Sequence, residues 1–183
     1  MAKQSTDAIL VIDGYNIIGA CPDLRQVRDR NSLEDSRHRL AEHLISYGAL
    51  GGYHIWLVFD AYDTRGPASV DRRTETLQIH YTPLGQTADT YIEKLCADFR
   101  YDVRRFQQRL IVATSDRAQR LMVVGYGAEW MSAQHLLRDM TQQQRQMHQR
   151  KKPRQRPSGR LSHALDPVAH QRLSQMRYGL LGK

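Results

Sequence analysis

Apolar residues occur along this chain in two patterns, unbroken short runs and recurrences at helical spacing, and the two alternate. Ile9 to Ile12 is a run of the kind found in strands covered on both faces. Tyr53 to Phe59, Leu77 to Tyr81 and Arg109 to Thr114 repeat it, and Ala128 to Met131 is a shorter version. Between them, Leu33, Leu40, Leu44 and Ile45 predict a helix over Leu33 to Tyr47, with Ser32 as its N-cap and Glu34 and Asp35 in the favoured first turn. Ile92, Leu95, Cys96 and Phe99 predict a helix from Ala88 to about Arg100 behind a Thr87 cap. Ala118, Leu121 and Met122 predict one from Asp116 to about Val124, and Leu136, Leu137 and Met140 one from Ser132. Strand and helix in this order predict an α/β fold: a parallel sheet with right-handed crossovers, flanked by helices. Cys21 to Asn31 is polar and reads as a loop or short helical turn, and Ala61 to Asp71, with Gly66 and Pro67, reads as a loop over the top of the sheet.

Beyond Met140 the apolar pattern dissolves into Gln and Arg. This divides the chain into a domain over residues 1–140 and a basic C-terminal extension over 141–183, flexible when free, with a terminal amphipathic helix expected over Leu165 to Tyr178. Charge sharpens the division. The net charge is +8, and Thr141 to Arg160 holds seven Lys or Arg and no acid, so the rest of the chain is nearly neutral. Local basicity points to an arm that contacts nucleic acid, with Arg150, Lys151, Lys152, Arg154 and Arg156 at its centre, rather than to a uniformly basic particle. Arg65, Arg72 and Arg73, in or beside the expected loop, are further candidates for phosphate contacts. No apolar run approaches the roughly 20 residues of a membrane helix and the start of the chain has no long apolar core of a secretory signal, so no membrane partner and a cytoplasmic location are expected.

Candidate chemistry follows from where the strands end. Asp13, Asp60 and Asp116 each follow an apolar strand, and Asp89 and Glu93, four apart, lie on one side of the first turns of a helix. Ligand sites of open α/β sheets lie outside the carboxyl ends of the strands, so these acids meet in one crevice. Uncompensated carboxylates repel, and a hard divalent cation resolves that repulsion: Mg2+ takes oxygen ligands, retains water and supports phosphodiester hydrolysis. Each acid taken singly also reads as a helix cap or a solvated surface group. Gly14 allows a sharp turn after Asp13, and the Asn16 amide can fix that carboxylate or a water.

Competing chemistries lack their residues. No G-x-G-x-x-G follows the first strand, no P-loop is present, and Tyr15 stands where an aspartyl-phosphate enzyme would carry its second acid. Cys21 and Cys96 are far apart, without C-x-x-C spacing, and read as reduced thiols; the eight histidines are scattered without metal-ligand spacing.

I-D-G-Y-N at Ile12 to Asn16, V-F-D-A at Val58 to Ala61, T-A-D-T-Y-I-E at Thr87 to Glu93, T-S-D-R-A-Q at Thr114 to Gln119 and G-A-E-W-M-S-A at Gly127 to Ala133 together resemble the YacP-like NYN domain family. That family belongs with the PIN-like nucleases and includes a bacterial ribosome-associated mRNA endonuclease. The resemblance covers roughly residues 8–140. It implies a three-layer, PIN-like (Rossmann-like) fold and metal-dependent RNA cleavage with Mg2+ or Mn2+. Asp13, Asp89 and Asp116 would be the metal-binding acids, Asn16 would orient Asp13 or a water, and Glu93 and Asp60 would be additional members. RNA, and mRNA at the ribosome in particular, is the implied partner. A non-catalytic RNA- or ribosome-binding module and a small-molecule phosphohydrolase are the rival readings.

Overall fold

A computed structural model describes residues 8–60 and 68–151. Five strands, β1 (Ala8–Asp13), β2 (Tyr53–Phe59), β4 (Leu77–Tyr81), β5 (Arg109–Ala113) and β6 (Glu129–Met131), run parallel, and β3 (Ser69–Arg72) joins the edge antiparallel to β4. The strand order is β3-β4-β2-β1-β5-β6. The sheet is therefore mixed rather than wholly parallel. Its antiparallel edge begins inside the region expected to be loop and runs one residue past it, because all four residues of β3 are exposed and carry no apolar run to announce a strand.

The period of two along β1 builds the three layers. Leu10 and Ile12 face one side with Leu57, Phe59, Ile79 and Ala113, where α1 (Gly14–Ala20), α3 (Leu33–Gly51) and α6 (Ala133–Lys151) cover them through Ile17, Leu40, Leu44 and Leu136. Ile9 and Val11 face the other side with Val58 and Val112, under Ile92 and Cys96 of α4 (Ala88–Tyr101) and Val123 of α5 (Arg117–Gly125). β1 is buried along its whole length, and Leu40 and Leu44 are fully buried. Truncating either leucine to alanine costs about 2–5 kcal/mol by loss of packing.

Of the two alternatives for residues 21–31, loop or short helical turn, the structure takes the helical one and extends it. Pro22 to Arg30 form α2, started by Pro22 at its first position, with Asp23 in the first turn and Arg28 and Arg30 in the last. Only Leu24 is buried, under a hydrogen bond from Ser36 Oγ to its carbonyl at 3.0 Å, so a single anchor left no apolar periodicity to read. In α5 the buried positions are Gln119 and Val123, one turn apart, while Leu121, expected inside, is exposed. α3 closes at Gly52, whose φ of 70° is the left-handed conformation that favours glycine. Gly14 does not have a positive φ. Its role is space, since a Cβ there would collide with the Phe59 ring.

α6 runs through Lys151, well past Met140, where its apolar contacts end. Lys152 to Lys183, including the expected terminal helix, lie outside the described residues. No described helix is long and apolar enough to cross a membrane.

Candidate active site

The alternation that builds the core also aims the acids. Asp13 continues the Ile9–Val11 face of β1 and Asp60 the Val58 face of β2, so both point to the side of the sheet covered by α4 and α5. Those two helices start at the same end of the sheet, and bring Asp89 and Asp116. Asp13 is 8 % exposed and forms the floor; Asp60 is half-buried; Asp89 and Asp116 stand at the exposed rim.

Each carboxylate is engaged by a helix start or by a side chain. Asp13 Oδ1 accepts from the Asn16 N–H at 3.1 Å and caps α1. Asp60 Oδ1 accepts from the Ala88 N–H at the start of α4. Asp116 Oδ1 accepts from the Gln119 N–H at 2.9 Å and caps α5. Asp89 Oδ1 accepts from Gln119 Nε2 at 2.7 Å. Three helix N-termini thus direct N–H groups and the positive ends of their dipoles into the acid cluster, which lets it form without lysine or arginine partners. Among the described residues no ion pair involves any of the four.

The offset is partial. Burial, the largest cause, followed by the charges of Asp89 and Asp60, pushes Asp13 up from the ordinary 3.8 to about 6, against the lowering effect of the Asn16 and Tyr15 N–H groups. Asp89 is also raised, by burial first and then by Asp116 and Asp60, while the Gln119 amide pulls the other way. Asp13 therefore senses Asp89 and Asp60, and Asp89 senses Asp116 and Asp60, across elements far apart in sequence.

Other candidates are placed differently. Glu93 accepts from Tyr126 O–H at a long 3.4 Å and is not among the charges acting on Asp13 or Asp89, so helical spacing alone did not bring it into the cluster. Asn16 reaches Asp13 through its backbone; its side-chain Oδ1 instead accepts from the Ser115 N–H at 2.8 Å, tying α1 to the loop that carries Asp116. Arg73 pairs with Asp71 at 2.7 Å, and Arg72 is exposed at the end of β3. Arg150 and Lys151 fall in the last turn of α6, whereas Arg65, Lys152, Arg154 and Arg156 lie outside the described residues.

Gln119 closes the T-S-D-R-A-Q motif, yet the sequence alone assigns it no role. It is 4 % exposed, bridges Asp89 and Asp116, and leaves its own Oε1 buried without a partner. The available signal was a polar residue one turn before Val123, on what became the buried face of α5. Behind it, Thr114 is fully buried, its Oγ1 accepts from the Asp116 N–H at 3.0 Å, and Trp130 Nε1 donates to its carbonyl at 3.1 Å, so the turn after β5 is held from both sides.

As a donor set, clustered carboxylates, Asp13 and Asp89 with raised affinity for protons, a buried amide acceptor and, among the described residues, no ion-paired cation suit a hard divalent ion. Among the described residues no three His, Cys, Asp or Glu side chains stand close enough to hold one ion directly. Mg2+ binding fits that spacing, because it commonly uses one or two carboxylates and completes its shell with water.

The chain is 31 % identical to the YacP protein of Bacillus subtilis strain 168 over 156 residues, covering 84 % of this chain and 88 % of the relative. The crystal structure of Rae1 (YacP) from the same organism superposes with a TM-score of 0.65 at 30 % identity, over 94 % of this chain and 96 % of that one. A mutant form of Rae1 (YacP) gives a TM-score of 0.63 at 32 % identity, over 78 % and 79 %. The YacP-like NYN domain model matches residues 10–178, reaching past the acid cluster into the basic extension, and the chain belongs to that nuclease-type family.

Proposed function

We propose that this protein is a divalent-cation-dependent endoribonuclease that hydrolyses RNA phosphodiester bonds, with mRNA at the ribosome as its substrate and the cytoplasm as its place of action. The observation that carries this reading is the convergence of Asp13, Asp60, Asp89 and Asp116 on one crevice with no basic partner among the described residues and with Asp13 pushed up to about 6. One or two of Asp13, Asp89 and Asp116 would ligate Mg2+ or Mn2+ directly and the rest through its water shell, with Asp60 beside them. When bound, such an ion makes water a better nucleophile and offsets charge on the phosphodiester. Asp13 supplies a buried, fixed carboxylate at the floor; Asp89 and Asp116 at the rim reach an incoming backbone; Gln119 holds those two at constant separation; Asn16 fixes the Asp116 loop against α1.

The rival, a module that holds RNA or the ribosome without cutting, draws on a specific observation. All four carboxylates are already hydrogen-bonded as caps or by Gln119, and these bonds have structural value without any ion. Incubating the purified chain with RNA and with translating ribosomes, with and without Mg2+ or Mn2+, separates the two. The nuclease reading expects cation-dependent cleavage that Asp89→Asn abolishes while RNA affinity persists. Retention of cleavage by a clean Asp89→Asn preparation overturns the assignment, and binding with no cleavage under any condition favours the module.

A further inference from the structure

The opposite edge of the sheet carries a surface of different chemistry. α4 ends at Tyr101, a single 3-10 turn follows at Val103–Phe106, and β5 begins at Arg109. Within this short connection Tyr101 is 84 % and Phe106 77 % exposed, which is far from the usual fate of aromatic side chains in a chain with buried space available. Arg100, Arg104 and Arg105 are interleaved with them and are also exposed. Arg104 is held by Asp102 at 2.6 Å, but among the described residues Arg100 and Arg105 have no carboxylate partner. The Arg105 guanidinium lies over the Phe106 ring, 4.6 Å from its centroid.

Beside this turn is a surface pocket of about 490 Å3 between the ends of α4 and α5, walled by Phe99, Arg100, Arg105, Phe106, Val124 and Tyr126. Arg109 and Glu129, the first residues of β5 and β6, form its base and pair with each other. Because β5 and β6 are parallel to β1, this is the amino end of the strands, about 17 Å along β5 from the acid crevice. The two surfaces are separate.

Exposed aromatic rings interleaved with guanidinium groups free of carboxylate partners, as Arg100 and Arg105 are although Arg105 Nη1 donates to the Arg100 carbonyl at 2.7 Å, form the combination that binds single-stranded nucleic acid without sequence preference: the rings stack on bases and the cations follow the backbone. An apolar protein partner would be met by aliphatic side chains and few charges, whereas this connection exposes one aliphatic side chain, Val103, and sets three arginines against one aspartate. We propose that Tyr101, Phe106, Arg100 and Arg105 form a second contact site for single-stranded RNA, remote from the acid crevice. The proposal rests on RNA being the substrate of that crevice. It makes the sheet a spacer: one stretch of RNA is held at the amino edge while another lies at the acids.

The test is fluorescence anisotropy of the full chain with a labelled oligouridine longer than about 16 nucleotides, in chelator and at raised salt to suppress the basic extension. Tyr101→Ala combined with Phe106→Ala is expected to weaken binding at least about fivefold for each ring that stacks. Both positions are exposed, so the circular dichroism spectrum stays that of the parent. Phe106→Trp retains affinity and Phe106→Leu loses it, since leucine keeps the apolar area but cannot stack. Ultraviolet cross-linking is expected to place RNA adducts on the peptide containing Tyr101 or Phe106. Unchanged affinity in the double variant, equal affinity of the leucine and tryptophan variants, absence of RNA binding by the full chain, or self-association that Phe106→Ala dissolves would each overturn the proposal. Chelator removes cleavage from the measurement, so its failure is distinct from failure of the nuclease reading, which Asp89→Asn tests at the other edge.

Discussion

Gln119 Nε2 donates to Asp89 Oδ1 at 2.7 Å, so a buried amide on α5 sets the position of a carboxylate on α4. The same residue's backbone N–H is capped by Asp116. One residue therefore couples the two rim acids, through its side chain and its backbone, and its orphaned Oε1 shows that the bridge is kept at some cost in burial.

Substituting Gln119→Met removes the donor while keeping most of the volume. It is expected to weaken Mg2+ or Mn2+ binding, read by calorimetry, and to lower cleavage about tenfold or more, as loss of a supporting hydrogen bond around a metal site commonly does. Gln119→Glu does the opposite in one respect. A further carboxylate beside Asp89 destabilises the cation-free chain, and added cation then raises its melting temperature by more than in the parent.

Asp13 predicts a pH dependence of stability. Its raised value means that the folded state binds the proton more tightly than the unfolded chain. The stabilisation from this group is complete below the ordinary 3.8 and is lost as pH rises through about 6, leaving a charge penalty of up to about 3 kcal/mol above that window. Asp13→Asn keeps an acceptor for the Asn16 N–H and removes the charge. Without cation, Asp13→Asn is therefore expected to melt above the parent at pH 8, with the difference shrinking as the pH falls toward 4. Divalent cation closes the gap at pH 8 by stabilising only the parent. A difference that does not vary with pH contradicts this account.

Gly14 predicts a steric effect at the same place. A Cβ meets the ring of Phe59, which is fully buried, with Tyr15 tilted against it and Tyr81 stacked beside it, so the ring has little freedom to withdraw. Gly14→Ala is expected to cost about 1–3 kcal/mol by chemical denaturation, the usual range for overpacking. Gly14→Ala combined with Phe59→Leu recovers part of that loss, which a requirement for unusual backbone angles would not allow.

What the sequence made legible follows from burial. The ends of β1, β2 and β5 are where buried apolar runs stop, so Asp13, Asp60 and the Thr114 to Asp116 turn could be placed from letters alone. The exposed β3 and α2, anchored by Leu24 alone, have no such edge, so the sequence predicts loop for most of the first and only a loop or short helical turn for the second. Glu93 illustrates the limit of spacing: it shares a helix side with Asp89, yet one turn of rise takes it out of the crevice toward Tyr126. Gln119 was hidden for another reason. It closes the T-S-D-R-A-Q motif, but its side-chain contact to Asp89, 30 residues earlier, is one that no local pattern encodes.

The basic extension yields a prediction about ionic strength. Replacing Arg150, Lys151, Lys152, Arg154 and Arg156 together by glutamine removes five of the cations that separate this end of the chain from its nearly neutral remainder. If all five meet phosphates, the slope of log affinity against log salt for single-stranded RNA becomes shallower by about 3.5, at roughly 0.7 per contact. Affinity at low salt falls steeply, while binding at high salt changes little because the stacking contribution remains. Cleavage of saturating RNA at low salt is expected to keep the parent's cation requirement, since none of the five residues belongs to the acid crevice. Anisotropy titrations over a range of salt concentrations measure the slope directly. An unchanged slope would mean that these charges face solvent in the complex, and that the phosphates are held by arginines elsewhere on the chain.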